Sequence, residues 1–140
     1  MNKNNSESCP CRILEQTSAK QNSPFSECCQ PFLETAALAQ TAEQLMRSRY
    51  TAFVLENEGY LLSSWHPQTR PEQIEFDTHI KWLGLKVKQT KAGQAADNKG
   101  WVEFTARYKI AGKAERIEEL SYFLKENEAW LYFAAVDTMK

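Results

Sequence analysis

No stretch of this 140-residue chain stays apolar for long. Its apolar runs fall well short of the ~18 residues that a membrane-crossing helix needs, so no membrane partner is expected. The opening residues, Met1-Asn2-Lys3-Asn4-Asn5-Ser6-Glu7-Ser8, lack the hydrophobic region of a signal peptide, and the expected compartment is the cytoplasm. An excess of positive charge is missing too. Seventeen basic side chains stand against 18 acidic ones, so composition offers no direct evidence for a nucleic-acid partner. That balance leaves room for a local basic patch without arguing for one. There is no internal repeat and no low-complexity block. Nor is there a Ser-His-Asp order, a phosphate-cradling glycine loop or a dinucleotide fingerprint, so no organic cofactor is implied.

What is present suffices for one domain and an appendage. Hydrophobic residues make up 42% of the chain and aromatic ones 11%, enough for a packed core. Residues 1–8 are polar and read as a mobile N-terminus. Residues 9–31 carry every cysteine, and the polar run Thr17 to Pro24 between them reads as a loop. Residues 32–140 read as the folded domain.

The Ala-rich stretch Phe32 to Gln40 suits a helix or a connector. A helix is predicted from Thr41, where Thr41 and Gln44 fit a capping box. Ala42, Leu45, Met46, Ala52 and Phe53 then share one face, with Arg49 in the middle of that stripe. Asn57-Glu58-Gly59 interrupts it, and a short helix from Tyr60 to Trp65 stops at His66-Pro67, because a residue before proline avoids helical angles. Residues 71–82 are predicted to form another short helix.

The period then changes. Trp82 to Gln89, Trp101 to Ile110, Arg116 to Lys125 and Trp130 to Val136 are rich in aromatic and β-branched residues, with turn-like runs between them. Val102, Phe104, Ala106, Tyr108 and Ile110 alternate with Glu103, Thr105, Arg107 and Lys109, as in a half-buried strand. Helices first and a four-strand antiparallel meander after them make an α+β fold, with helices packed on one face of a curved sheet.

Cys9-Pro10-Cys11 and Cys28-Cys29 form two close pairs joined by a loop. In a reducing compartment such a set favours a metal over disulfides, and four thiolates satisfy tetrahedral zinc. Two disulfides or four free thiols are the alternatives. The pattern resembles the SEC-C motif, a small zinc hook, although the loop is longer here and Arg12-Ile13-Leu14-Glu15 contains no glycine turn. The resemblance goes further. Cys28-Cys29-Gln30-Pro31-Phe32, Leu45-Met46-Arg47-Ser48-Arg49-Tyr50-Thr51-Ala52-Phe53, Ser64-Trp65-His66-Pro67, Trp82-Leu83-Gly84-Leu85, Val102 to Tyr108 and Ser121 to Asn127 recur in the order found in the YchJ family of bacterial proteins. That resemblance implies a cone-like fold similar to nuclear transport factor two, preceded by the Cys-rich zinc hook. The fold hosts enzymes and inert binders alike, so it leaves the chemistry open. It differs from the family's usual pattern at the last turn, where Glu126-Asn127-Glu128-Ala129 replaces an acidic-Gly pair.

Arg49, Tyr50, Trp65, His66 and Glu119 are the residues expected around a cone pocket. Arg49 could anchor an anionic ligand, but a buried ion pair with Glu119 or Glu118 is the favoured reading. Arg47, two residues away on the helix, is expected at a surface or interface. His66 and Glu119 are the catalytic candidates, with His66 as a general base oriented by Glu119 or Asp137. His66 could equally cap its helix. His79 is expected at the surface.

Two functions follow. The first is a non-catalytic binding module whose zinc hook docks on a protein or ribosome-associated partner, with a homodimer through the sheet as a further expectation. The second is a hydratase- or isomerase-type enzyme of the cone fold, with His66 as base and Arg49 binding substrate charge.

Overall fold

The computed structural model describes residues 8–12 and 24–139. The expected mobile N-terminus before Ser8 and most of the polar loop between the cysteine pairs lie outside the described residues. Single 3₁₀ turns at Pro10–Arg12 and Phe25–Glu27 are followed by helices α1 (Gln30–Glu34), α2 (Ala42–Val54) and α3 (Glu58–Ser63). Strands β1 (Lys81–Ala92), β2 (Lys99–Ile110), β3 (Lys113–Glu126) and β4 (Ala129–Ala135) complete the chain. Each strand pairs antiparallel with its neighbour in sequence, in the order β1-β2-β3-β4. This is the α+β meander that the change of period predicts.

Helix α2 starts where its cap dictates. The Thr41 hydroxyl accepts the Gln44 N–H at 3.1 Å, and the Gln44 side chain reaches back to the Gln40 N–H at 2.7 Å, one residue beyond the usual capping-box partner. The helix lays Ala42, Leu45, Met46 and Tyr50 against Leu85, Val102, Phe104, Ala106 and Phe123 of the sheet. Each Leu or Phe buried in this way contributes about 1.5–3 kcal/mol. The N-terminus of α2 meets the β1–β2 connection so closely that only glycine fits there. Gly93 lies at φ +76°, a Cβ on it would come within 2.9 Å of the Ala42 Cβ, and its carbonyl accepts the Ala42 N–H at 2.9 Å.

Asn57 caps α3 by accepting the Tyr60 N–H at 3.0 Å. Beyond α3 the chain turns along the free edge of β4. Tyr132 donates its N–H to the Ser64 carbonyl at 2.9 Å, and His66 donates its own to the Tyr132 carbonyl at 2.8 Å. An edge that would otherwise be open is thereby covered.

Residues 71–82 do not form the predicted helix; they run in irregular conformation into β1, which begins at Lys81. The reason is local. Ile74 and Phe76 are half-buried while Glu75 and Asp77 are exposed, a period of two rather than 3.6. The Ile74 N–H is taken by the Glu58 carboxylate at 2.9 Å, and Asp77 accepts the His79 N–H at 2.9 Å in a side-chain-capped turn.

The strands are longer than their aromatic runs because the β2–β3 and β3–β4 connections are two-residue turns. Ala111 and Gly112 lie at φ 53° and 75°, and Asn127 and Glu128 at φ 52° and 69°. Two successive left-handed residues define the hairpin turn whose twist matches that of the strands. Asn tolerates that region, but Glu128 is strained there by about 1–2 kcal/mol, against a glycine entropy cost of about 0.5–1 kcal/mol. Glu128→Gly should therefore stabilise the protein by roughly 0.5–1 kcal/mol, read as a higher urea midpoint at unchanged slope. A lower midpoint would show that the turn is not strained.

Candidate metal centre

The two cysteine segments are brought side by side by an antiparallel bridge between Ser8 and Pro24. On one, the Arg12 N–H closes the 3₁₀ turn onto the Cys9 carbonyl at 2.9 Å, so that Cys9 and Cys11 flank a rigid turn. On the other, Cys28 ends the second turn and Cys29 starts α1, its carbonyl accepting the Phe32 and Leu33 N–H groups at 3.1 and 3.2 Å. The four sulfurs converge within 4.8 Å of one another. Cys11 Sγ lies 3.5 Å from Cys28 Sγ and 3.8 Å from Cys29 Sγ, and the Cys28 and Cys29 sulfurs are 4.0 Å apart. Four sulfurs each about 2.3 Å from a tetrahedral ion would stand about 3.8 Å apart. No disulfide links the four cysteines, three of them are buried, and the set could hold a metal ion.

Helix α2 supplies the floor. Thr51 Oγ1 donates to Cys29 Sγ at 3.3 Å and lies 3.6 Å from Cys9 Sγ, so one fully buried hydroxyl touches both cysteine pairs. One turn earlier, Arg47 donates from Nη1 to the Cys11 carbonyl at 2.9 Å and from Nε to Glu43 at 2.9 Å. Expected at a surface or an interface, Arg47 is 5% exposed and lies against the hook, which covers that side of α2. Its sequence signal was the i, i+4 spacing from Glu43 and to Thr51, which puts all three on one helix face.

The sulfurs shift one another's proton affinity through their mutual hydrogen bonds. Cys28, hydrogen-bonded by the Cys11 and Cys29 thiols, is held far below an ordinary thiol value. Cys9 comes down to about 7 through the Cys11 thiol. Cys11, as the donor to Cys28, and Cys29, as a donor to Cys11, are pushed up, and burial adds to both. Four thiolates this close repel one another, and a bound dication would remove that repulsion. Burial, and after it the charge of the Cys11 sulfur, pushes the Tyr50 hydroxyl up as well.

The five residues expected around a cone pocket are divided among three places. Arg49, 4% exposed, donates to the Leu61 carbonyl at 2.8 Å and the Ser64 hydroxyl at 2.7 Å, with its guanidinium 4.9 Å from the Trp65 ring and 4.7 Å from the Tyr132 ring. Burial lowers it to about 10, with Tyr132, Tyr60 and Glu119 acting in opposition, so it stays charged at neutral pH. Among the described residues no carboxylate forms an ion pair with it. Glu119 instead accepts from Ser121 at 2.7 Å and from the Tyr132 hydroxyl at 2.9 Å. Tyr50 faces the other way and packs edge-on against Trp82.

His66 lies elsewhere again. Its Nε2 is 2.8 Å from Glu126, while Nδ1 accepts the Gln68 N–H at 3.1 Å, which assigns the ring proton to Nε2. Glu126, rather than Glu119 or Asp137, is thus its acidic neighbour. His79 is exposed beside Asp77. A groove of about 410 Å³ does open between the 36–39 connector, α3 and β4, but it is lined by residues such as Phe32, Leu38, Tyr60 and Trp130 and by none of the five.

Comparison with known proteins places this architecture. A family model described as "YchJ, middle NTF2-like domain" matches residues 41–135. A UPF0225 protein of Chromobacterium violaceum is 47% identical over 116 residues, covering 80% of this chain and 86% of that protein. The UPF0225 protein YchJ of Shigella dysenteriae is 42% identical, covering 91% and 81% respectively. Among solved structures, a SEC-C motif containing protein from Psychrobacter arcticus aligns with a TM-score of 0.76 at 26% identity, over 97% of this chain and 85% of that one. A SEC-C motif containing protein from Rhodopseudomonas palustris aligns with a TM-score of 0.72 at 27% identity, over 84% and 94%. With four cysteines gathered on the floor of an NTF2-like domain and relatives of this similarity along most of its length, the chain belongs to the YchJ (UPF0225) family.

Proposed function

We propose that the chain is a zinc-stapled binding module of the cytoplasm whose hook docks on a protein or ribosome-associated partner. The observation that carries this reading is the closed cage of four sulfurs within 4.8 Å. Soft thiolates in tetrahedral array suit zinc, and four protein ligands leave no open position for a substrate or an activated water. The metal would therefore act structurally. Cys9, Cys11 and Cys29 belong to the same apolar cluster as Leu45, Leu85, Val102 and Phe123. Zinc binding would then contribute directly to the stability of the domain as well as to the hook. A cleft of about 250 Å³ opens at the cage, lined by Cys28 and Cys29 together with Arg12, Glu27, Phe32, Gln44 and Arg47, and is where a partner would meet the hook.

The enzyme reading draws no support from His66. Both ring nitrogens are engaged, one by Glu126 and one by the Gln68 N–H, so no lone pair is free to take a proton. Its position between the end of α3 and the β3–β4 hairpin is that of a strap.

Metal analysis of protein purified without chelator should find one zinc per chain, with all four thiols unreactive until the metal is removed. Chelation should lower the melting temperature by at least about 10 °C and abolish co-sedimentation with purified ribosomes or capture by the docking partner. Four freely reactive thiols, or a melting temperature indifferent to chelator, would contradict the reading. Thr51→Val keeps the shape of the floor but removes its hydroxyl. By competition with a chromogenic chelator it should weaken zinc affinity about 10–100-fold, and an unchanged affinity would mean that Thr51 merely fills space.

A further inference from the structure

We propose that the outward face of the sheet binds the phosphate backbone of single-stranded nucleic acid. Strand register builds that face. With Val102, Phe104 and Ala106 turned to the helices, Thr105, Arg107 and Lys109 of β2 point away from them. Lys81 stands opposite Lys109, Lys86 opposite Thr105, Arg116 opposite Arg107 and Glu118 opposite Thr105. Lys88, beside the β1 irregularity, reaches the same face, 3.8 Å from both Glu103 and Glu118. Six cations thus share a surface with two carboxylates, in a chain whose formal net charge is −1. Between them lies a groove of about 550 Å³, lined by Lys86, Lys88, Thr105, Arg107, Arg116 and Glu118.

The internal pairing is incomplete. Arg116 binds Glu118 at 3.0 Å and Lys88 is shared between two acids, but Lys81, Lys86, Arg107 and Lys109 form no ion pair with any described residue. Arg107 against Arg116, and Lys81 against Lys109, are like charges directly across two ladders. Such pairs destabilise a sheet, and a bound anion would relieve them.

The same residues choose the occupant. A second copy of the chain on a two-fold axis would set these cations against themselves. A protein partner needs an apolar centre to its interface, and no apolar side chain lines the groove. A bilayer presents its charges in a plane, whereas these charges flank a recess. Alternate side chains along a strand stand about 7 Å apart and neighbouring strands about 5 Å apart, a grid of donors that a flexible single strand can follow. A duplex is too stiff to bend into so small a recess. The Arg107 and Arg116 guanidinia can each grip a phosphate with two N–H groups. With no aromatic side chain lining the groove to stack a base, the contacts would fall on the phosphates, and binding should tolerate any sequence.

The test is fluorescence anisotropy of a labelled oligouridylate with the full-length protein as purified. The expected dissociation constant is about 1–100 µM near physiological salt, with log K falling against log salt at a slope of about −3 if four phosphates are contacted. Arg107→Gln combined with Arg116→Gln should weaken binding about tenfold and flatten that slope by about 1.4, while leaving the melting temperature equal or higher because the cross-strand repulsion is gone. Arg70→Gln, beside α3, should leave binding unchanged. An absence of salt-dependent binding, or full binding by the double variant, would overturn the proposal. So would tighter binding of polyglutamate or of phosphatidylglycerol vesicles than of the oligonucleotide at equal salt. The inference does not rest on the zinc reading: at a temperature where the chelated protein is still folded, hook docking is lost on chelation and survives the double variant, whereas oligouridylate binding survives chelation and is weakened in the double variant.

Discussion

Four sulfur atoms held within 4.8 Å, three of them on buried residues, are the constraint around which the N-terminal half of the molecule is arranged. Such a cluster is costly for a bare protein, since ionised thiolates repel and buried neutral thiols contribute little in return. The surrounding structure nevertheless fixes each sulfur from an independent direction. One pair is set by the turn at Pro10–Arg12, the other by the start of α1, and both by the Thr51 hydroxyl beneath them. A preformed cage of this kind is what a tetrahedral ion requires, and the ion in turn would lock the first described residues of the chain to its central helix.

Helix α2 transmits that constraint. Arg47 and Arg49 are two residues apart and so project to nearly opposite sides of the helix. Arg47 ties the hook through the Cys11 carbonyl, and Arg49 ties α3 and β4 through Leu61, Ser64 and the rings of Trp65 and Tyr132. Both are buried and both satisfy main-chain carbonyls. The hook is consequently part of the core rather than an appendage to it. Loss of the cage should be felt as far as the sheet, because Cys9, Cys11 and Cys29 share one apolar cluster with Leu85, Val102 and Phe123.

Much of this was legible in the residues themselves. The Thr41 cap, the alternation along β2 and the segregation of the cysteines are local signals, and each led to the element observed. What failed to show depends on partners distant in sequence. The sequence leaves Arg47 at a surface or an interface without choosing, because its acceptor, Cys11, is 36 positions away. His66 is left open between a base and a helix cap because its acid, Glu126, is 60 positions away and belongs to a hairpin whose turn is legible but whose orientation is not. The segment 71–82 departs from the helix expected of it, and the alternate burial of Ile74 and Phe76 spans too few residues to set a legible period. The basic face was hidden by the overall charge balance. Only the register of three strands brings Lys86, Arg107 and Arg116 together.

The central claim is that the four cysteines hold one ion between them, and the measurement that tests it most directly is X-ray absorption at the zinc edge on the purified protein. The account predicts a single shell of four sulfurs at about 2.3 Å and no nitrogen or oxygen neighbour in that shell. A shell of two sulfurs completed by lighter atoms, or sulfur-free zinc bound at the surface, would contradict it.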